Sequence, residues 1–342
     1  MQEAHYYHSL NILLESDYRK LAKLKSRFAT WQGAWDALSE KERKGRDPEN
    51  DWRELERSGI RLIFQESHEY PSLLQEIHDP PFGLYALGTF PSSSDYILAI
   101  VGTRKATPEG KELAKRFAAA CAKENFVIVS GLALGIDAAA HTGCLDAEGT
   151  TLAVLGNGLD SFYPNSNERL ARRILEARGA LISEYPPGSP PLPYHFLERN
   201  RIVAGLAKGV LVIEAPERSG SLVTARLALE ENRDVFVIPG PVTHPNFKGS
   251  HELIRSGATL VTRPEDILEA FGIESEQKNT NEADLENDVE KIIFRALKAF
   301  SKPATVDKII ELTELSTSDA NRALTFLTLK NIVKETVEGY TL

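Results

Sequence analysis

The chain is poor in the residues that announce several kinds of chemistry. Its 342 residues include two cysteines, Cys121 and Cys144, at no metal-ligand spacing. That excludes a disulfide-stapled secreted domain and reads as two small buried residues in a reducing compartment. No apolar run approaches the ~18 residues of a membrane helix, and no charged-then-apolar leader opens the chain. A soluble, cytoplasmic protein without a membrane partner is expected. Positive charge is in deficit, with 40 Lys and Arg against 49 Asp and Glu. This argues against a uniformly basic nucleic-acid surface, although local charge decides binding. No His, Asp and Glu cluster falls at metal spacing, and neither G-x-S-x-G nor a Cys/His nucleophile context occurs. No metal, no cofactor and no catalytic residue are expected.

What is present is a core. Apolar residues make up 42% and charged residues 26% of the chain, enough to fold two or three domains. Residues 1–65 read as helices, with Leu10, Leu13, Leu14, Leu21 and Leu24 near helical spacing. A turn-rich connector follows, where Pro71, Pro80 and Pro81 prevent a long helix. From Tyr96 the pattern alternates. "YILAIVG", "FVIVSG", "TLAVLG", "ALISEY", "VLVIEA" and "DVFVIPG" are strands separated by helix-length sequence. That alternation predicts an α/β fold, a parallel sheet with helices on both faces, over 66–272. Residues 273–286 read as an acidic linker, and 287–342 as helix, helix, helix and a hairpin around Glu338-Gly339. The last order is that of a winged helix.

Phosphate-binding signals were sought where strands run into helices. "IVSGLALGIDAAAH", from Ile128 to His141, lacks the G-x-G-x-x-G of a dinucleotide turn and the G-K-[ST] of a P-loop. Asp137 stands at its helix start and reads as a cap of that helix; His141 reads as a satisfied helix histidine. Ser130 and Gly131 still offer a hydroxyl and an N–H at a strand's carboxyl end, where open α/β sheets bind ligands. Other strand ends add Arg104 and Lys105, then Phe196, Arg199, Asn200 and Arg201, then Ser219, Gly220 and Ser221 at a helix start. Arginines gathered with helix N-termini suit several phosphates in a row. Phe196 reads either as a base-stacking ring or as packing between helix and sheet.

Six stretches, "IVGTRKAT", "IVSGLALGIDAAAH", "TLAVLGNGLDSFYPNSN", "LISEYPPGSPP", "FLERNRIVAGL" and "SGSLVTARLALEENRDVFVIPG", occur in this order. Together they closely resemble the DNA-processing family called DprA or Smf, over about 70 to 272. The resemblance implies a Rossmann-like core flanked by an N-terminal helical domain (sterile-alpha-motif-like or helix-hairpin-helix-like) and a C-terminal winged helix. It also implies a homodimer that binds and protects single-stranded DNA without chemistry and loads RecA, in natural transformation and recombination. Carried over residue by residue, the DNA-binding set is Arg104, Ser130, Gly131, Phe196, Arg199, Asn200, Arg201, Ser219, Gly220 and Ser221. Thr103 stands where serine is frequent and keeps the hydroxyl. The third helix of the last segment carries only Arg322 and Lys330 against Asp319, which argues against duplex reading and leaves a protein-contact or regulatory role open.

An enzymatic alternative is a phosphoribohydrolase of the lysine decarboxylase-like type, with P-G-G-x-G-T-x-x-E at a corresponding strand end. Here that stretch reads "ERSGSLVTARLALE", with Ala225 and Arg226 near the place of the glutamate. For the DNA-binding reading, Arg104, Arg199 and Arg201 neutralise phosphates, the starts of helices bind another, and Phe196 stacks a base. About four neutralised phosphates predict a single-strand salt slope near −3. By position, "FKGSHELIRSGATLV" is a candidate dimer surface.

Overall fold

The computed structural model describes residues 2–90, 96–273, 285, 287–300, 303–330, 332–336 and 339–341. They form two compact units, Met1–Gly272 and Ile273–Leu342.

In the first unit, α1 (Gln2–Leu13), α2 (Tyr18–Arg27), α3 (Trp31–Asp36), α4 (Glu40–Arg43) and α5 (Pro48–Arg57) precede the sheet. Side chains cap most of them: Asp17, Thr30, Ser39 and Asp47 each accept a first-turn N–H. Leu10 and Leu21 are fully buried with Tyr7, Trp31 and Trp35. These helices share a core with the sheet. His8 Nδ1 lies 2.7 Å from the Tyr85 hydroxyl, and Asn11 donates to the Glu184 carbonyl at 3.2 Å.

The sheet has nine strands. They are β1 (Arg61–Phe64), β2 (Gly83–Gly88), β3 (Tyr96–Gly102), β4 (Phe126–Ser130), β5 (Thr151–Leu155), β6 (Ala180–Ser183), β7 (Gly209–Ile213), β8 (Asp234–Val237) and β9 (Thr259–Leu260). Their spatial order is β1-β2-β6-β5-β4-β3-β7-β8-β9. From β6 to β9 every neighbouring pair is parallel, as expected. At the other edge β2 runs antiparallel to both β6 and β1. The expected boundary at 65/66 therefore falls between two paired strands. The connector hides them because β1 has four residues of mixed exposure and β2 follows two prolines.

The intervening helices are α6 (Ser72–Gln75), α7 (Pro108–Lys123), α8 (Ile136–Asp146), α9 (Glu168–Glu176), α10 (Pro193–Leu206), α11 (Gly220–Glu230), α12 (Lys248–Arg255) and α13 (Pro264–Ala270). Strands β4 to β7 are buried at every residue, the mark of a sheet covered on both faces. Each fully buried Val, Leu or Ile contributes about 1.5–3 kcal/mol. Cys121 and Cys144 are buried and unpaired by disulfide, and burial pushes both thiols up to about 12.

From β3 the chain winds outward through β4, β5 and β6, then returns to the other side of β3 for β7, β8 and β9. The switch point lies between β3 and β7, and their carboxyl ends open the crevice where such sheets bind ligands.

The second unit holds α14 (Asp288–Lys298), α15 (Val306–Thr313), α16 (Thr317–Leu329) and the antiparallel pair β10 (Lys334–Thr336) and β11 (Gly339–Thr341). Ser316 caps α16, its hydroxyl accepting the Asp319 N–H. Arg322 of α16 lies 3.5 Å from Asp319, and Lys330, just past the helix, 3.3 Å from Glu290, so neither cation lacks a counter-charge. The expected acidic linker lies outside the described residues except for Ile273 and Leu285, as does Glu338 of the hairpin turn.

Candidate nucleic-acid interface

A cavity of about 300 Å³ opens at the switch point. The turns after β3 and β4, one face of α10 from Pro193 to Val203, and the start of α11 supply its walls. Eight of the ten sequence-predicted residues line it: Arg104, Gly131, Phe196, Arg199, Asn200, Ser219, Gly220 and Ser221. Ser130 lies one residue below the wall, fully buried, its hydroxyl donating to the Ile100 carbonyl at 2.6 Å. Arg201 is elsewhere.

The reason is helical geometry. Successive residues turn by about 100°, so positions 199 and 201 stand about 200° apart on α10. Phe196, Arg199 and Asn200 face the crevice. Tyr194, Glu198 and Arg201 face a separate cavity toward α2. There Arg201 Nη2 donates to both Glu184 carboxylate oxygens, at 2.7 and 2.8 Å, its Nη1 is buried without a hydrogen-bond partner, and the guanidinium lies over the Tyr18 ring. Burial pulls on the Arg201 charge, but the Glu184 carboxylate outweighs it and holds the guanidinium protonated. Pro193 occupies the first position of α10, where its missing N–H costs no helix hydrogen bond.

Arg199 is buried with 4% of its surface exposed. It donates to the Val154 carbonyl, while its Nε is buried with no hydrogen-bond partner. Burial brings its pKa down to about 10, opposed by the charge of Asp137. Burial likewise pushes the Asp137 carboxyl up, opposed by Arg199. Asp137 is thus not the cap of its own helix. The cap position is Gly135, and Asp137 accepts the Gly131 N–H at 3.1 Å. It folds the β4–α8 turn back on itself. Gly131 has no substitute here, because a Cβ at that position would overlap the Arg199 guanidinium. Asn167 clamps the same turn by donating to the Leu132 carbonyl at 2.8 Å.

His141 is half satisfied. Its Nδ1 lies 2.7 Å from the Thr151 hydroxyl, its Nε2 has no partner, and burial holds it neutral, down to about 3. At the α11 start, Ser219 is the cap, and its hydroxyl accepts the Ser221 N–H at 3.3 Å. Asn200, midway along α10, donates to the Gly220 carbonyl at 3.2 Å and ties that helix to the start of α11. Arg104 is exposed, with its guanidinium 5.4 Å from the Phe196 ring centre. The cavity therefore carries two guanidinium groups against one carboxylate, with an aromatic ring between elements. It can receive an anion carrying a planar group. Sequence reasoning missed Asp137 as a cavity wall; its place at the start of the helix that follows the Gly131 turn was the available signal. Among the described residues no group of three His, Cys, Asp or Glu is placed to hold a metal, and no helix is long and apolar enough to cross a membrane.

The family model described as DNA recombination-mediator protein A matches residues 61–272. Protein Smf of Escherichia coli is 47% identical over 221 residues, 64% of this chain and 59% of that protein. The DNA processing protein DprA of Streptococcus pneumoniae is 46% identical over 59% of this chain and 71% of its own length. Protein Smf of Synechocystis is 36% identical over 82% and 80%. The X-ray structure of the Streptococcus pneumoniae protein superposes with a TM-score of 0.63, at 40% identity, covering 67% of this chain and 80% of that one. A Helicobacter pylori DNA processing protein A, whose structure is described for its single-stranded DNA binding mode, matches with a TM-score of 0.55 at 31% identity. It covers 62% of this chain and 95% of that one. The family match begins at the first residue of β1 and ends with the first unit, so it takes in the whole nine-stranded sheet, and the chain belongs to the DNA recombination-mediator protein A family.

Proposed function

We propose that this chain binds single-stranded DNA at the switch-point cavity, without sequence preference and without chemistry on the strand. The observation that carries the reading is the pairing of exposed Arg104 with Arg199, whose buried Nε lacks an acceptor, around the half-buried Phe196. Phosphate and a base face are common to every nucleotide, so such a site reads the backbone rather than the sequence. The relatives named for DNA processing, and the one described for single-stranded DNA, support it.

The placement of Arg201 changes the expected electrostatics. With Arg201 held by Glu184 and Arg199 facing Asp137, fewer phosphates are neutralised than four. A salt slope of about −0.7 to −1.4 follows for one or two phosphates on a single strand. Fluorescence anisotropy of a labelled oligothymidylate, titrated at several salt concentrations against duplex competitor, tests this. A slope of zero would sink the electrostatic account.

The phosphoribohydrolase alternative finds little support. Where it needs a glutamate, Ala225 is buried and Arg226 is exposed. The acidic side chain lining the described cavity is Asp137, already engaged by the turn it closes. We extend the reading to protection of incoming strands in transformation and recombination, with RecA as the recipient of the strand. The role is that of a homodimer, for which α12 and β9 offer the surface. Stimulated RecA assembly on a strand coated by single-strand-binding protein is the readout for the second step. The second unit is assigned as a winged helix that contacts protein, in keeping with the matched charges of Arg322 and Lys330.

A further inference from the structure

Phe196 is poorly placed to accept a base by itself. Its ring is covered by Arg104 on the cavity side. It also lies against the backbone of Gly156, where an added Cβ would sit 2.9 Å from its Cδ1. Its third neighbour is Tyr163, with ring centres 5.4 Å apart and planes inclined by 34°. Tyr163 is 41% exposed, so one side of its ring meets Phe196 while part of it stays open to solvent. The loop that presents it is pinned at several points. Asn157 donates to the Ser161 carbonyl at 2.8 Å, and Asp160 accepts the Gly188 N–H at 2.8 Å. The Gly158 N–H donates to the Ser189 carbonyl at 3.0 Å. The exposed ring is thus held by its surroundings.

We propose that Tyr163 is a base platform of the strand-binding site, stacked in series with Phe196 and Arg104, and that it takes the nucleobase next to the phosphate held at the cavity. The inference rests on the single-stranded DNA reading above. Three groups in a row, a cation, a half-buried ring and an exposed ring on a pinned loop, leave the outer face of Tyr163 as the aromatic surface a base reaches without displacing a side chain. Stacking of this kind tolerates any base, because every base has a π face. It also supplies affinity that salt does not screen, which a site with few free cations requires.

The test compares two labelled strands of equal length and equal phosphate count, an oligothymidylate and its abasic counterpart, by fluorescence anisotropy. Wild-type protein is expected to prefer the strand with bases by about tenfold. Tyr163→Leu should lose about tenfold on that strand, keep its affinity for the abasic strand and keep the wild-type melting temperature. Tyr163→Phe should bind as wild type. Unchanged binding by Tyr163→Leu, or an equal loss on both strands, would overturn the proposal while leaving the DNA-binding reading in place. Failure of wild-type protein to bind either strand would overturn that reading, and this one with it.

Discussion

Arg199 and Arg201 are two residues apart in sequence and live in different electrostatic worlds. Arg199 lines the crevice, gives one N–H to a backbone carbonyl and keeps a buried Nε unmatched. Arg201 faces the N-terminal helices; it too keeps one buried nitrogen, Nη1, unmatched, but its Nη2 meets both oxygens of the Glu184 carboxylate. A third arginine, Arg104, is exposed and touches an aromatic face. Counting arginines in a motif therefore overstates the charge available to a ligand. One holds the fold together, one shapes the pocket, and one is free to meet an incoming phosphate.

The comparison breaks most visibly at Arg201. Arg201→Ala leaves Glu184 buried without its partner and should cost about 3–5 kcal/mol in urea unfolding, as other broken buried pairs do. Equal stability of the variant and the wild type would mean that the pair contributes nothing net.

Proton linkage probes both sides of α10 together. Burial holds His8, beneath the N-terminal helices, down to about 4, and His141, near Arg199, down to about 3. In the unfolded chain both titrate near 6.5, so below that pH the unfolded state binds more protons than the folded one. Stability is therefore full above about pH 6.5 and falls as pH drops. The loss approaches about 1.4 kcal/mol per pH unit for each histidine. Urea midpoints from pH 7 to pH 5 should follow this trend, and His8→Asn should flatten it. A midpoint constant over that range would contradict the neutral assignments.

Gly131→Ala sharpens the crevice side. The new methyl meets the Arg199 guanidinium, which the Val154 carbonyl keeps from retreating, so a loss of about 1–3 kcal/mol is expected in thermal unfolding. Strand affinity should drop with it. The smallest stability effect belongs to Arg104→Ala. Its melting temperature should match wild type, while strand affinity falls and the salt slope becomes shallower by about 0.7, the share of one phosphate. A slope identical to wild type would remove Arg104 from the contact set.

Much of this was legible in the chain. The runs from Ile97 to Val101 and from Val210 to Ile213 read as strands because both of their faces are buried. The gathering of Arg104, Gly131, Phe196 and Ser219 followed from their positions after strands or at the starts of helices. β1 and β2 were not legible, since a short pair at a sheet edge has no repeated apolar pattern. Arg201 was misplaced although the signal was available: two steps along a helix reverse the face. Its partner Glu184 lies 17 positions away, a tertiary fact with no local signature. Tyr163 stood inside a quoted motif, yet its exposure depends on a loop closed by Asn157 and Asp160, which spacing does not reveal.

The antiparallel edge has a practical meaning. β1 covers the outer hydrogen-bonding rim of β2, and the helices before it cover the face beneath. A fragment begun at residue 66, where the helical stretch ends in sequence, strips that cover and leaves β2 with a bare row of amides and carbonyls. Such a rim recruits strands from other molecules. The N-terminal segment is in this sense an internal chaperone of the sheet, and its removal should show first as turbidity during expression and concentration.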